Sequence, residues 1–193
     1  MRTDGIMFDS TLQSARAEAL RRVMSSLCAM AIAGLITAVI FAGAAYAEPQ
    51  RIALLGVHFQ NDNEGYEPTT DAEKNRLNMI STAFKEQLEA SGKYAFVPVP
   101  ASEQQKIDAG QLVGACGGCE FDYGRDLNVE HVAWIRVQKI SNLILNINVY
   151  MADVAKRKVT FIHSVDLRNN TDESWMRGLN YLVQNYLLPG AQG

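Results

Sequence analysis

Arg51-Ile52-Ala53-Leu54-Leu55-Gly56-Val57-His58-Phe59 is a short apolar run rich in strand formers, without the polar alternation of a half-exposed strand. A strand wetted on one face alternates apolar and polar positions, whereas an unbroken apolar run needs cover on both faces. The run therefore reads as a buried central strand. Gln60 to Thr70 is full of Asn, Asp, Gly and Pro and reads as a loop. Thr70-Asp71-Ala72-Glu73 is a capping box, a hydroxyl and a carboxylate spaced to satisfy the free amides of a helix start. The helix that follows carries Leu77, Ile80, Phe84 and Leu88 on one stripe, and Ser91-Gly92 stops it. Tyr94 to Val99 reads as a second strand. Strand, covering helix and strand in this order imply a right-handed crossover between parallel strands.

Further along, Ser102-Glu103-Gln104-Gln105 resembles a second capping box, opening a short helix to about Ala109. Gly114 to Gly118 is a glycine-rich turn, followed by a short helix from about Cys119 to Leu127. His131 to Ile140, Leu143 to Met151 and Val159 to Leu167 alternate as strands of an antiparallel meander, with Ser141-Asn142 as the first turn. Asn170 to Asp172 caps a final helix bearing Trp175, Leu179, Leu182, Val183 and Tyr186 as a core-facing stripe. The expected fold is a single α/β domain with a five-stranded mixed sheet, strand-helix-strand and then the meander, with helices packed on it.

Upstream of the first strand, Arg21-Arg22 precede an uncharged run from Val23 to Ala47 that closes on Ala45-Tyr46-Ala47. A positive flank, an apolar centre and small residues at minus three and minus one describe a secretory signal. Residues 1–47 are therefore expected to be a signal peptide cleaved after Ala47, and residues 48–193 one exported domain with its core at about 51–187. The competing reading is an uncleaved anchor, since the run approaches the length of a membrane span. Contact with a membrane is expected only if this segment is retained. Met7 and Met24 are alternative starts, and Met24 would drop both arginines.

The chain carries 18 Lys+Arg against 21 Asp+Glu, a formal charge of −3. The leader takes Arg2, Arg16, Arg21 and Arg22 but only Asp4, Asp9 and Glu18, so the remainder is more acidic still. A mildly acidic domain with no basic stripe argues against nucleic acid as a partner.

Of three cysteines, Cys28 leaves with the leader and Cys116 and Cys119 remain. An even pair in an oxidising compartment implies a disulfide. Cys116-Gly117-Gly118-Cys119 also has the spacing of a thiol-disulfide redox site, with a helix start beside it to favour a thiolate. The structural disulfide is the leading reading and redox activity the alternative. Haem attachment is excluded because Glu120, not His, follows the second cysteine. Asp62, Glu64, Glu67 and Asp71 surround Gly65 in an oxygen-rich loop, which admits a metal-responsive reading. Its first position is Gln60 and a strand precedes it, so a solvated loop explains the same residues. His58, His131 and His163 fall in or beside strands and are expected to be strand residues with satisfied hydrogen bonds. No catalytic set, phosphate-cradling loop or cofactor motif is evident.

Ile52-Ala53-Leu54-Leu55-Gly56-Val57, an amphipathic helix, and then Gly92-Lys93-Tyr94-Ala95-Phe96-Val97-Pro98-Val99 resemble the amino-terminal domain of TolB. The same layout occurs in the CsgG and LpoB envelope lipoproteins. Residues 132–145 look like the hairpin of those domains. The block Asn169-Asn170-Thr171-Asp172-Glu173-Ser174-Trp175-Met176-Arg177-Gly178 resembles DUF2380, exported proteobacterial proteins of unknown function. The likeness covers most of residues 51–187. It implies an adaptor or partner-binding module rather than an enzyme. The chain departs from TolB in lacking a β-propeller after the domain and from the lipoproteins in lacking their cysteine. The expectation is a periplasmic, non-enzymatic interaction or accessory module of a Gram-negative envelope. It would bind an envelope protein partner, with the meander's edge strand as the natural docking surface and no cofactor.

Overall fold

The computed structural model describes residues 48–189. The expected leader, residues 1–47, lies outside the described residues. The elements run β1 (Gln50–Asn61), α1 (Asp71–Ala90), β2 (Tyr94–Phe96), α2 (Ala101–Ala109), α3 (Cys119–Asp126), β3 (His131–Ser141), β4 (Ile144–Asp153), β5 (Lys158–Leu167) and α4 (Asp172–Leu182). A single π-helical turn, Val183–Leu187, extends α4.

The strands form one five-stranded sheet in the order β2-β1-β3-β4-β5. β1 is parallel to both neighbours, and β3, β4 and β5 are an antiparallel meander. The unbroken apolar run of β1 has the cover it demands. On one face Ile52 and Leu54 join Ile135, Val137, Ile147 and Val149 beneath Ile80, Phe84 and Leu88 of α1 and Trp175 and Leu179 of α4. On the other, Ala53 and Leu55 join Val132, Trp134 and Ala152 beneath Ile107 of α2 and Phe121 of α3. That second layer is short. Past Leu55 the same face carries His58, Gln60, Arg136, Gln138, Asn146 and Asn148 in register across three strands.

Thr70 caps α1 as expected: its hydroxyl accepts from the Glu73 amide, and the Glu73 carboxylate accepts from the Thr70 amide at 2.7 Å. The second expected capping box does not form. α2 begins at Ala101 behind Pro100, with no side-chain cap. Pro100 takes the N-cap position with φ −60° and ψ 150°, so Ser102 falls inside the first turn rather than ahead of it. β2 spans only Tyr94–Phe96, shorter than the sequence suggests. Pro98 and Pro100 lack the N–H that a longer ladder needs. The β3–β4 turn falls on Asn142 and Leu143, one residue later than expected.

The stripe of α4 holds through Trp175, Leu179, Leu182 and Val183, all buried. Tyr186 leaves it and is 41% exposed. The cause is the π turn, closed by the Leu188 amide donating to the Val183 carbonyl at 2.8 Å. One extra residue in a turn rotates everything after it off the 3.6-residue phase.

Candidate functional site

The outer edge of β5 has no strand neighbour among the described residues. Its ladder with β4 is regular from Phe161 to Leu167 and breaks on the other side, where Thr160 is the extra residue between Val159 and Phe161. Such bulges end a pairing surface. Ile162 is 65% exposed, with Ser164 and Asp166 beside it on the uncovered face. Against the other side of this edge, His163 stacks on Tyr186 with ring centroids 3.5 Å apart, and Tyr181 meets Tyr186 edge-on at 5.7 Å.

A groove of about 300 Å³ continues from β5 along α4, lined by Leu167, Asn169, Thr171, Ser174, Gly178 and Tyr181 together with Arg168 and Arg177. Gly178 makes it narrow: a methyl group there would come within 2.3 Å of the Leu167 side chain. Arg168 and Arg177 are exposed and make no ion pair among the described residues. The edge therefore offers main-chain hydrogen-bonding groups, an exposed isoleucine and two cations.

A second groove, of about 600 Å³, lies at the other end of the sheet between α3 and the β4–β5 turn, with Arg125, His131, Asp153 and Arg157 in its wall. His131 Nδ1 is buried there without a partner. His58 Nε2 is likewise buried and unpartnered, so both histidines lack the hydrogen bond expected of them at these nitrogens. Burial, with Arg136 adding to it, lowers the His58 pKa. A neutral ring loses less on burial than a charged one, which is how the orphaned nitrogen is tolerated.

Cys116 and Cys119 form a disulfide, both half-buried. The Cys119 amide donates to Cys116 Sγ at 3.2 Å. The Glu120 carboxyl, 5% exposed, places Oε2 3.2 Å from the same sulfur. Glu120 was invisible in the sequence except as the residue that follows the second cysteine.

The four acidic loop residues meet four different sets of donors. Gln138 and Gln60 donate to Asp62 and lower its pKa; Thr69 does the same for Glu64. Glu67 accepts from Asn142 and lies 3.5 Å from Lys139, while Asp71 pairs with Lys74. They do not converge on one point; among the described residues the carboxylate that approaches other candidate metal ligands is Glu120, beside the cysteines.

The sequence also concealed a buried polar knot at this end of the sheet. Lys139 Nζ, on a side chain 2% exposed, donates to Glu73 Oε1 at 2.9 Å. Asn170 donates to the same oxygen at 2.7 Å and accepts from the Trp175 indole at 3.0 Å. Burial pushes the Glu73 carboxyl up, but the Thr70 amide, Lys139, Asn170 and the Thr70 hydroxyl outweigh it and hold the pKa at about 2.

The profile of a family described as protein of unknown function (DUF2380) matches residues 50–187. The chain belongs to this family. The block from Asn169 to Gly178 that carried the resemblance supplies Asn170 and Trp175 to the knot and Ser174, Arg177 and Gly178 to the groove. Among solved structures, the chain is similar to the LpoB C-terminal domain from Salmonella enterica, with 12% identity, a TM-score of 0.47, and 70% of this chain and 94% of that one covered. It is similar to lipoprotein GNA1162 from Neisseria meningitidis, with 15% identity, a TM-score of 0.47, and coverage of 74% and 99%. TolB from Acinetobacter baumannii is similar at 13% identity and a TM-score of 0.41, covering 75% of this chain and 30% of that one. No curated protein matches the chain. Among the described residues no helix is long and apolar enough to cross a membrane.

Proposed function

We propose that this family member is a periplasmic, non-enzymatic interaction module, exported by a leader cleaved after Ala47, that takes an extended segment of an envelope protein along the outer edge of β5. The observation that carries the reading is the regular, unpaired edge from Phe161 to Leu167, continuous with the groove of α4. Strand addition supplies affinity through main-chain hydrogen bonds and specificity through neighbouring pockets. Arg168 and Arg177 fit a partner segment that carries carboxylates where it leaves the sheet edge.

The test is crosslinking of the tagged protein in envelope extract, beside Ile162→Lys and Arg177→Glu variants whose melting temperatures match the parent. The expected result is one stoichiometric protein, crosslinked through residues 160–168, whose recovery falls at least about tenfold in both variants, or roughly 1.4 kcal/mol. Equal recovery by parent and variants, or crosslinks confined to another surface, would remove the β5 edge as the docking site.

A further inference from the structure

Of the eight large apolar or aromatic side chains exposed among the described residues, four gather at one end of the sheet. Tyr66 stands in the β1–α1 loop at 93% exposure, and Ile140, Leu143 and Ile144 surround the β3–β4 turn. The loop is tied beside that turn. The Asp62 amide donates to the Lys139 carbonyl, the Asn63 side chain to the Ile140 carbonyl, and the Asn142 side chain to the Glu67 carboxylate. Leu143, 69% exposed, occupies a turn position that Gly, Asn and Asp ordinarily fill. An aliphatic side chain left in water there gains nothing from folding. Scattered apolar residues need no explanation, but a group of four marks a surface that another molecule covers.

The rim of this patch is negative. Asp62 takes hydrogen bonds from Gln60 and Gln138, and Glu64 from Asn61 and Thr69, all neutral donors. Neither carboxylate meets a cation among the described residues, and Lys139, which approaches Glu67, is already balanced by Glu73. A complementary cover carries cations beside apolar surface. The chain offers such a surface next to the patch. Arg168 and Arg177 flank the α4 groove and Tyr181, half exposed, stands in its wall. The two arginines outnumber Asp166, the carboxylate among the lining residues, and Asp172 is taken by Arg76 at 2.7 Å. Groove and patch adjoin through Asn170, which lies between the groove residues Asn169 and Thr171. Its amide donates to the Asn142 carbonyl at 3.1 Å and its side chain to Asn142 Oδ1 at 3.0 Å. When complementary surfaces sit side by side on one molecule, a two-fold axis brings each onto its counterpart and satisfies both contacts at once.

We infer that a second copy of this chain covers the patch, in a two-fold dimer that sets Tyr66, Leu143 and Ile144 of each protomer against the α4 groove of the other, with Asp62 and Glu64 facing Arg168 and Arg177. The pairing does not rest on strand docking, because it uses none of the main-chain groups of β5. It shares the two arginines with that site, so an acidic envelope segment and the second copy compete for them.

The experiment is sedimentation equilibrium of the protein purified after expression of the full chain, from about 1 μM to about 100 μM. The parent is expected to show a monomer–dimer equilibrium with a Kd on the order of 10 μM. Raising salt from about 50 mM to about 500 mM should weaken it several-fold. Leu143→Ser, at an exposed turn position, should leave the melting temperature unchanged and weaken the dimer at least about tenfold. Glu64→Arg and Arg177→Glu should each do the same, since each sets like charges together at both contacts. Mixed in equal amounts, these two variants should form a heterodimer: the altered turn of one meets the altered groove of the other, and the second contact stays as in the parent. Ile162→Lys, which strikes the β5 edge, should leave the dimer intact, so the two readings fail separately. A parent that stays monomeric at about 100 μM, a dimer indifferent to Leu143→Ser and to both charge reversals, or an equal mixture of the folded variants that stays monomeric would overturn the proposal. A monomeric parent that floats with phosphatidylglycerol vesicles, and loses this in Leu143→Ser, would overturn it in favour of a lipid surface.

Discussion

Lys139 shows what single residues can hide. In the sequence it is a polar position near the end of an alternating strand, and Glu73 is half of a capping box. The capping role was legible because it is local: a hydroxyl and a carboxylate three residues apart need no tertiary contact to pair. The ion pair was not, because Glu73 and Lys139 meet only once α1 packs on the sheet. Each is almost fully buried, and removing one partner strands the other charge. Lys139→Met is therefore expected to cost about 3–5 kcal/mol in urea unfolding, and the double variant with Glu73→Gln should recover much of that loss. A cost below about 1 kcal/mol for the single change would show the charge to be solvated. The same carboxyl sets an acid limit. Its folded pKa of about 2 lies below the ordinary 4.5. The stabilisation is thus complete above 4.5 and lost as pH falls from there through about 2. The shift corresponds to about 3 kcal/mol, and denaturation midpoints measured across this window should fall by that order in the parent and stay flatter in Glu73→Gln.

At the scale of elements, the meander read well because its period of two is written directly into Leu145, Ile147 and Val149 against Asn146, Asn148 and Tyr150. The edges of elements read less well. Pro98 and Pro100 shortened β2 and moved the start of α2, and the π turn displaced Tyr186, since periodicity contains no sign of an inserted residue. Close packing was equally silent. On α3, Gly124 faces Val132 and Val154, where an added methyl group would lie 2.8 Å and 2.5 Å from their side chains. Alanine gains about 1 kcal/mol over glycine in a helix interior, but both valines are stiff and the overpacking costs about 1–3 kcal/mol. Gly124→Ala should therefore lower the melting temperature despite the better propensity. The disulfide works at this scale too. It closes so short a loop that chain entropy gives it only about 2 kcal/mol. Reduction should lower unfolding stability by no more than that and leave the circular dichroism of the folded state unchanged.

For the whole molecule, the sheet's existence, its mixed character and the meander's edge as a docking candidate followed from element order, whereas the place of β1 between β2 and β3 did not. The insertion of β1 between β2 and β3 sets the opposite edge, β2, while β5 is the outer strand of the meander. Edman sequencing of the exported protein is expected to begin at Glu48; a product retaining residues 1–47 would favour the anchor and tie the domain to a membrane. The central place of β1 has a kinetic side. Ile52 pairs with His131, so the sheet's middle ladder joins the first strand to one nearly 80 residues further along. Contacts that distant are slow to form, and none can be made until the chain through β3 is present. A polypeptide emerging from the ribosome therefore remains without its β1–β3 pairing while most of the domain is still being synthesised, and under the proposed export that interval would keep the chain in the unfolded form a narrow secretion pore admits.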